Sequence, residues 1–494
     1  MCRTSVLDCT RTAMVHSRTV STATARNAPP PELFTERSAA PSPAGPVDDG
    51  RPTRMPPGSG QRRFVQTMRF VARPMDTSLA AHRAFGDVWQ LHLLSRREPF
   101  VVTCHPNHIR SLFKASPADA PSLTGESPLR PILGPNSVLT SVGERHMRQR
   151  KLLLPPFHGD AVQRYAEMIA EVAEREIDRW PVGEPFALAP RMSAVTLDVI
   201  MRGVFGITGV PPRGTAEYRL RQTVRRMLLA STKPLYQLVE LYNAGRMEPR
   251  GVLKAVLALA DRHLYAVIRT RRDEGTSSDR HDVLSLLLQA RDDEGRGLTD
   301  HELRDELMSL VLAGHETTAN SLAWTFERLT RTPAAYDRLR ELTRGGDRHA
   351  ADAYVEATVH EVMRVRPVIP MIVRMATRPW QLGEYVVPAR TPVAVSIVAL
   401  HHRDDVYPDP FAFRPERFVE QKPGTYTWIP FGGGIRRCLG ATLAMAEQRV
   451  VLTAIAQRTD LAAPDPAPEQ PRQRNVTMIP RHGGRVVVQR KRAA

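Results

Sequence analysis

Cys438 is the residue whose surroundings point most directly to chemistry. It lies in the run Phe431-Gly432-Gly433-Gly434-Ile435-Arg436-Arg437-Cys438-Leu439-Gly440. Glycine permits positive φ and carries no Cβ, so three glycines before the cysteine and one after let the backbone pass close beneath a flat group. A helix is predicted to start after Gly440, in Ala441-Thr442-Leu443-Ala444-Met445-Ala446-Glu447. Its positive end points back at the sulfur, which lowers a thiol pKa and favours the metal-binding thiolate. Arg436, two positions earlier, is placed to meet an anionic edge of such a group. The plain alternative is a buried cysteine in a glycine-rich turn.

A second candidate is Ala313-Gly314-His315-Glu316-Thr317-Thr318, set between the apolar stretches Leu310-Val311-Leu312 and Leu322-Ala323-Trp324. Glycine and β-branched threonines are poor helix formers, so propensity is sacrificed at this point. Glu316 beside Thr317 places an acid next to a hydroxyl, a pair able to pass protons. A solvent-facing kink with an ordinary exposed glutamate is the competing reading. Glu361 and Arg364, three apart, share one helix face and can pair; an exposed pair would contribute almost nothing.

These residues need elements to position them. Thr299 followed by Glu302 reads as a capping box, and Pro333 marks the far limit of the helix between them. Some 32 residues at ~1.5 Å each make a rod of roughly 50 Å, long enough to cross a domain. A helix is also predicted for Val355–Arg366, stopped by Pro367, and apolar residues at helical spacing mark 160–179, 215–243 and 250–274. Strand-like runs are Val88–Leu93, Phe100–Thr103, Ile369–Met375, Tyr385–Val387, Pro392–Val398 and Val486–Gln489. The pattern is mainly α with small β-sheets (α+β), without βαβ alternation. Residues 1–54, rich in Ser, Thr, Ala, Arg and Pro, are expected to be a disordered N-terminal extension. An upstream extension or an early start codon accounts for them better than a transit peptide. Met55-Pro56-Pro57-Gly58 reads as the beginning of a domain over 55–494.

Composition removes several function classes. The 494 residues are 42% hydrophobic with a formal charge of +17, and only six of the 69 basic residues are lysine. That arginine bias suits a GC-rich bacterial genome, and no nucleic-acid-binding signature accompanies the charge. A basic face for an acidic protein partner is the better use of it. The four cysteines form no CxxC, so a disulfide framework is not expected and a reducing, cytoplasmic setting is. Cys104 reads as a small buried hydrophobe. No apolar run approaches the ~20 residues needed to cross a bilayer.

The cysteine run matches F-x-x-G-x-R-x-C-x-G at every fixed position and so resembles the haem-binding signature of the cytochrome P-450 family. Ala313–Thr318 resembles that family's oxygen-activation motif, Glu361-x-x-Arg364 its E-x-x-R helix, and Pro415-Glu416-Arg417-Phe418 its PERF segment. The four occur in the family's order, over about residues 55–494. The resemblance implies that fold, with a long central helix crossing over the haem, and a mono-oxygenase acting on O2 and a hydrophobic small molecule. It implies haem b on Cys438, with His146, Arg150, Arg374 and Arg436 toward the propionates. It also implies Glu316 and Thr317 as a proton relay and Arg417 as third member of a buried cluster with Glu361 and Arg364. Electrons are expected from a separate ferredoxin and ferredoxin reductase, since no flavin domain fits in this chain, and the protein is expected to be a monomer. Arg145, Arg148 and Lys151 are the expected docking cations. Substrate-facing segments are expected at Ser116–Ser141, near Leu220–Leu241, on the helix face up to Ala313, and at Val368–Val373 and Val476–Ile479. Peroxide-driven, isomerase or dehydratase chemistry is the alternative, although such members commonly lose the acid–threonine pair intact here. A haem sensor without turnover is the remote one.

Overall fold

The computed structural model describes residues 39–493, apart from 49, 124–128, 158–159, 232–238, 240–241, 244–245 and 276–279. The longest element is the central helix Asp300–Leu329. Its start follows the sequence: Glu302 N donates to Thr299 Oγ1 at 3.2 Å, and Thr299 N donates to the Glu302 carboxylate at 2.9 Å. Leu188–Phe205 and the Cys-loop helix Ala441–Arg458 pack along it. Leu322, Trp324 and Phe326 of its second half are fully buried with Val195, Val451 and Ile455, while Leu303, Leu307 and Val311 of the first half pack with Ile200 and Phe205. Each such leucine, valine, isoleucine or phenylalanine contributes ~1.5–3 kcal/mol on burial, which makes this helix the scaffold of the molecule.

Four small sheets gather at the edges. The largest has the order β2-β3-β8-β5, from Val88–Leu91, Phe100–Thr103, Thr391–Ser396 and Met371–Ala376, and only the β3–β8 pair is parallel. β1 (Ala44–Pro46), β6 (Trp380–Leu382) and β7 (Tyr385–Val387) form a second; β4 (Pro185–Ala187), β12 (Arg485–Lys491) and β9 (Thr459–Ala462) a third; β10 (Pro471–Arg474) and β11 (Thr477–Pro480) a hairpin. The α+β expectation therefore holds. The Val355–Arg366 expectation started too late, because Asp347 caps a longer helix, Arg348–Val365, by accepting from Ala350 N. The run 392–398 splits where Ser396 Oγ caps a short helix, Ile397–His401.

The expected boundary at Met55 needs correction. β1 pairs with β6, Ala39 is buried with Tyr407 and Phe418, Ser42 Oγ meets His108 Nε2 at 2.8 Å, and Arg54 N donates to Val386 O. Residues 39–54 thus belong to the domain, while the disorder expected for 1–38 lies outside the described residues.

Candidate active site

The Cys438 loop is closed by Cys438 N donating to Phe431 O at 2.9 Å and Arg437 N to Gly434 O at 3.1 Å. Gly432 and Gly434 have φ of +66° and +63°, which only glycine adopts without strain. A Cβ on Gly433 or Gly434 would strike Phe113 of the Pro106–Lys114 helix, so these glycines let the loop press against protein. Burial pushes the Cys438 thiol up, opposed by the Gly440 N–H and the guanidiniums of Arg437 and Arg150. For the free thiol desolvation outweighs these donors, and coordination to a metal would reverse that balance. Protein surrounds Cys438 densely, yet its side chain is accessible. Ala313 is likewise exposed midway along the buried central helix, with Thr317 half-exposed one turn on. Cys438 leads into the Ala441–Arg458 helix, which packs on the central helix, so a hollow between the cysteine loop and the central helix accounts for both exposures.

Cations converge beside this hollow. Arg374 of β5 is buried, lies 5.6 Å from the Phe113 ring centre and, among the described residues, donates only to the carbonyls of Val373 and Gly433. Arg436 donates to Val138 O at 3.0 Å and to Ser141 O, and Arg150 to Arg437 O at 2.8 Å. Among the described residues no carboxylate pairs with any of the three. Burial pushes Arg374 down to about 10, and burial followed by Arg374 and Arg150 pushes Arg436 to about 10. Buried His146, on the Gly143–Leu153 helix, is driven down to about 3 by burial and then by Arg436, Arg150 and Arg374. A small cavity lined by Phe113, Val142, His146, Arg374 and Arg436 opens among them. A buried unpaired charge typically costs ~3–5 kcal/mol. Such a cluster therefore suits an anionic ligand whose carboxylates supply the missing partners, as haem propionates would.

The proposed relay pair diverges. Thr317 Oγ1 donates to Ala313 O at 2.6 Å, whereas Glu316 Oε1 accepts from Arg474 Nε and Nη2 at 2.8 and 2.6 Å and from Thr477 Oγ1 at 3.1 Å, on the β10–β11 hairpin. Gly314 serves packing, since a Cβ there would approach Ile200 at 2.9 Å. The Glu361 cluster forms as expected. Arg364 Nε lies 2.7 Å and Arg417 Nε 3.3 Å from its carboxylate, which also accepts from Arg414 N. Arg364 in turn binds the carbonyls of His401, Pro410 and Ala412. His401 Nε2 then accepts from Ile429 N, which carries this order to the edge of the Cys438 loop.

Of the expected docking cations, Arg148 is a structural residue. It binds Asp292 at 2.6 Å, Glu302 at 3.0 Å and Gly297 O. Lys151 pairs with Asp293 at 2.6 Å; Arg145 is exposed. Two buried acids escaped the sequence reading. Glu306 is held well above the carboxylate range by burial, and accepts from Val138 N at 2.9 Å, beside the carbonyl that holds Arg436. Glu447 is pushed up to about 8 by burial alone. The one signal for Glu306 was its spacing, eleven residues or three helical turns before Thr317 on the same face.

The sequence model of the cytochrome P450 family matches residues 56–487. The chain belongs to this family. The protein named cytochrome P450 135B1 of Mycobacterium tuberculosis is 37% identical over 443 residues, covering 89% of this chain and 92% of that protein. Cytochrome P450 137 of the same species is 36% identical over 418 residues, 82% of this chain and 83% of its own length. In fold, the chain is similar to retinoic acid-bound cyanobacterial CYP120A1, with a TM-score of 0.75 and 22% identity over 90% of this chain and all of that one. The cytochrome P450DA heme domain gives 0.74 and 21% over 90% and 98%. The protein is therefore a haem-thiolate oxidoreductase of the mono-oxygenase class, and its cofactor is haem b bound through a cysteine thiolate. Among the described residues, no helix is long and apolar enough to cross a membrane.

Proposed function

We propose that this P450 inserts one oxygen atom of O2 into a hydrophobic small molecule, by hydroxylation or epoxidation, with electrons from a ferredoxin and its reductase. The observation that carries the reading is the accessible Cys438 beside buried Arg374 and half-buried Arg150 and Arg436, which no carboxylate neutralises among the described residues. Cys438 is the thiolate ligand, and Arg150, Arg374, Arg436 and His146 hold the propionates. Bound haem supplies O2 activation, with thiolate donation favouring O–O cleavage. The chain supplies position, protons and exclusion of water. Thr317 offers a hydroxyl at the hollow once it leaves Ala313 O. Glu316 reaches it through water or after parting from Arg474.

The Glu316–Arg474 pair is also the observation that favours peroxide-driven chemistry, because such a reaction needs no assembled relay. Two substitutions separate these readings. Cys438→His is expected to take up some haem but lose the red-shifted Soret band of the ferrous–CO complex; retention of that band removes Cys438 as ligand. Thr317→Ala is expected to keep haem and substrate binding while diverting NADPH equivalents to hydrogen peroxide. Unchanged coupling in that variant, with turnover supported by added peroxide alone, favours the second reading.

A further inference from the structure

We propose that the outward face of the Arg63–Ala72 helix binds the surface of an anionic lipid bilayer. A surface helix ordinarily turns its apolar residues inward and its polar ones to water. This one buries Gln66 along with Phe70, and exposes Phe64 (61%), Met68 (44%), Val71 (42%) and Val65 (37%). At 100° per residue, Val71, Phe64, Met68, Ala72 and Val65 fall in one arc of about 120°. The inversion is fixed by hydrogen bonds: Gln66 Nε2 donates to Gln61 O at 2.8 Å and to Ser59 O, and Gln66 Oε1 accepts from His92 N at 3.0 Å. The turn after β2 sits alongside, with Leu94 N donating to Thr67 Oγ1 at 3.0 Å, and it adds the exposed side chain of Leu94 to the patch.

The rim is basic. Residues 51–75 contain six arginines and no acid. Arg62, Arg69 and Arg73 lie along one border of the apolar arc, exposed and without an ion pair among the described residues. Arg97 is exposed in the neighbouring turn. An apolar stripe with arginines at its margin is the pattern of a helix lying in the headgroup layer, where hydrocarbon enters the acyl boundary and guanidiniums stay with phosphates. The surface is the outside of a helix and offers hydrocarbon and thioether groups without a directional donor, which fits a fluid bilayer better than a shaped protein groove. The helix as a whole also packs on the β10–β11 hairpin that holds Glu316, so one element carries the outward lipid face and a contact to the wall of the candidate active site.

The full-length haem-loaded protein should co-sediment with phosphatidylglycerol vesicles and less with phosphatidylcholine vesicles, and added salt should weaken the association. Phe64→Ser with Met68→Ser should lower partitioning by about tenfold or more, and Arg62→Glu with Arg69→Glu should lower it at low salt. Neither pair should alter the ferrous–CO spectrum, because all four side chains are exposed. As an independent readout, the indole introduced by Phe64→Trp should show blue-shifted fluorescence on vesicle binding and quenching by brominated acyl chains. Absence of vesicle binding, binding by both double variants equal to wild type, or an indole left unquenched overturns the proposal. Binding unaffected by the variants would assign membrane attachment to another segment, and an acidic protein on this face would leave vesicles unbound.

Discussion

At the scale of single residues, the site separates what a side chain does for the fold from what it does for a ligand. Arg374 is the clearest case, since its guanidinium is buried, meets only carbonyls and an aromatic face among the described residues, and is displaced downward to about 10 by desolvation alone. An unpaired buried cation opposes folding of the haem-free protein and repays that cost only when an anion arrives. Arg374→Met should therefore leave the unfolding midpoint of the haem-free protein unchanged or raised. Haem loss should accelerate by roughly 10–100-fold, the equivalent of one charge-assisted hydrogen bond of ~1.5–3 kcal/mol. Transfer of haem to a scavenger protein and thermal unfolding of the stripped protein check the two signs separately; a fall in both would make Arg374 a packing residue. Arg436 was legible in the sequence from its place two residues before Cys438, whereas His146, Arg150 and Arg374 were expected from the family resemblance alone, and the structure brings the four near one another. The behaviour of Glu316 and Arg148 was not. Their partners, Arg474 and Asp292, lie more than 140 residues away, and helical spacing says nothing about which distant charge will arrive.

At the scale of elements, signals written into local chemistry were readable and signals that depend on a distant edge were not. Thr299, Glu302 and Pro333 bound the central helix because capping is settled within one turn. Glu361 and Arg364 could be paired on paper, but their complete burial comes from Arg417 and the carbonyls of 401–412. β1 illustrates the opposite limit: its Ala44-Gly45-Pro46 has no alternation and no β-branched residue, and it is a strand only because β6 presents an unpaired edge. The expected domain start at Met55 has a measurable consequence in a chain begun there. Such a chain loses β1, the burial of Ala39, the Ser42–His108 contact and the bond from His105 Nε2 to Ala40 O at 2.8 Å. At ~0.5–1.5 kcal/mol per hydrogen bond, its unfolding midpoint should fall by several degrees, with the haem spectrum retained. A chain begun at Ala39 should show no such fall. Equal midpoints for the two would show that the docked segment contributes nothing.

At the scale of the whole molecule, net charge and its placement make different claims about the electron donor. The chain carries +17, so an acidic ferredoxin would be attracted to many of its faces. Productive transfer requires the face near Cys438, where the free cations are fewer than the sequence suggested. Arg148 and Lys151 are neutralised by Asp292, Glu302 and Asp293, and reversing Arg148 would break a buried cage as well as change the surface. That leaves Arg145, on the Gly143–Leu153 helix, and Arg437, beside Cys438, both exposed and without an ion pair among the described residues. Screening acts over ~10 Å at 0.1 M salt, so a local charge governs the docked pair while net charge governs only the approach. Arg145→Glu and Arg437→Glu should each slow ferredoxin-supported reduction several-fold at low ionic strength. The difference from wild type should shrink as salt rises, and reduction by dithionite should stay normal. Arg262→Glu supplies the comparison, because its helix, Val252–Asp273, packs on Ala216–Ser231 and on the central helix. It makes the same change in net charge without touching the cysteine loop, so equal slowing by Arg262→Glu would mean that docking is not localised on the proposed face.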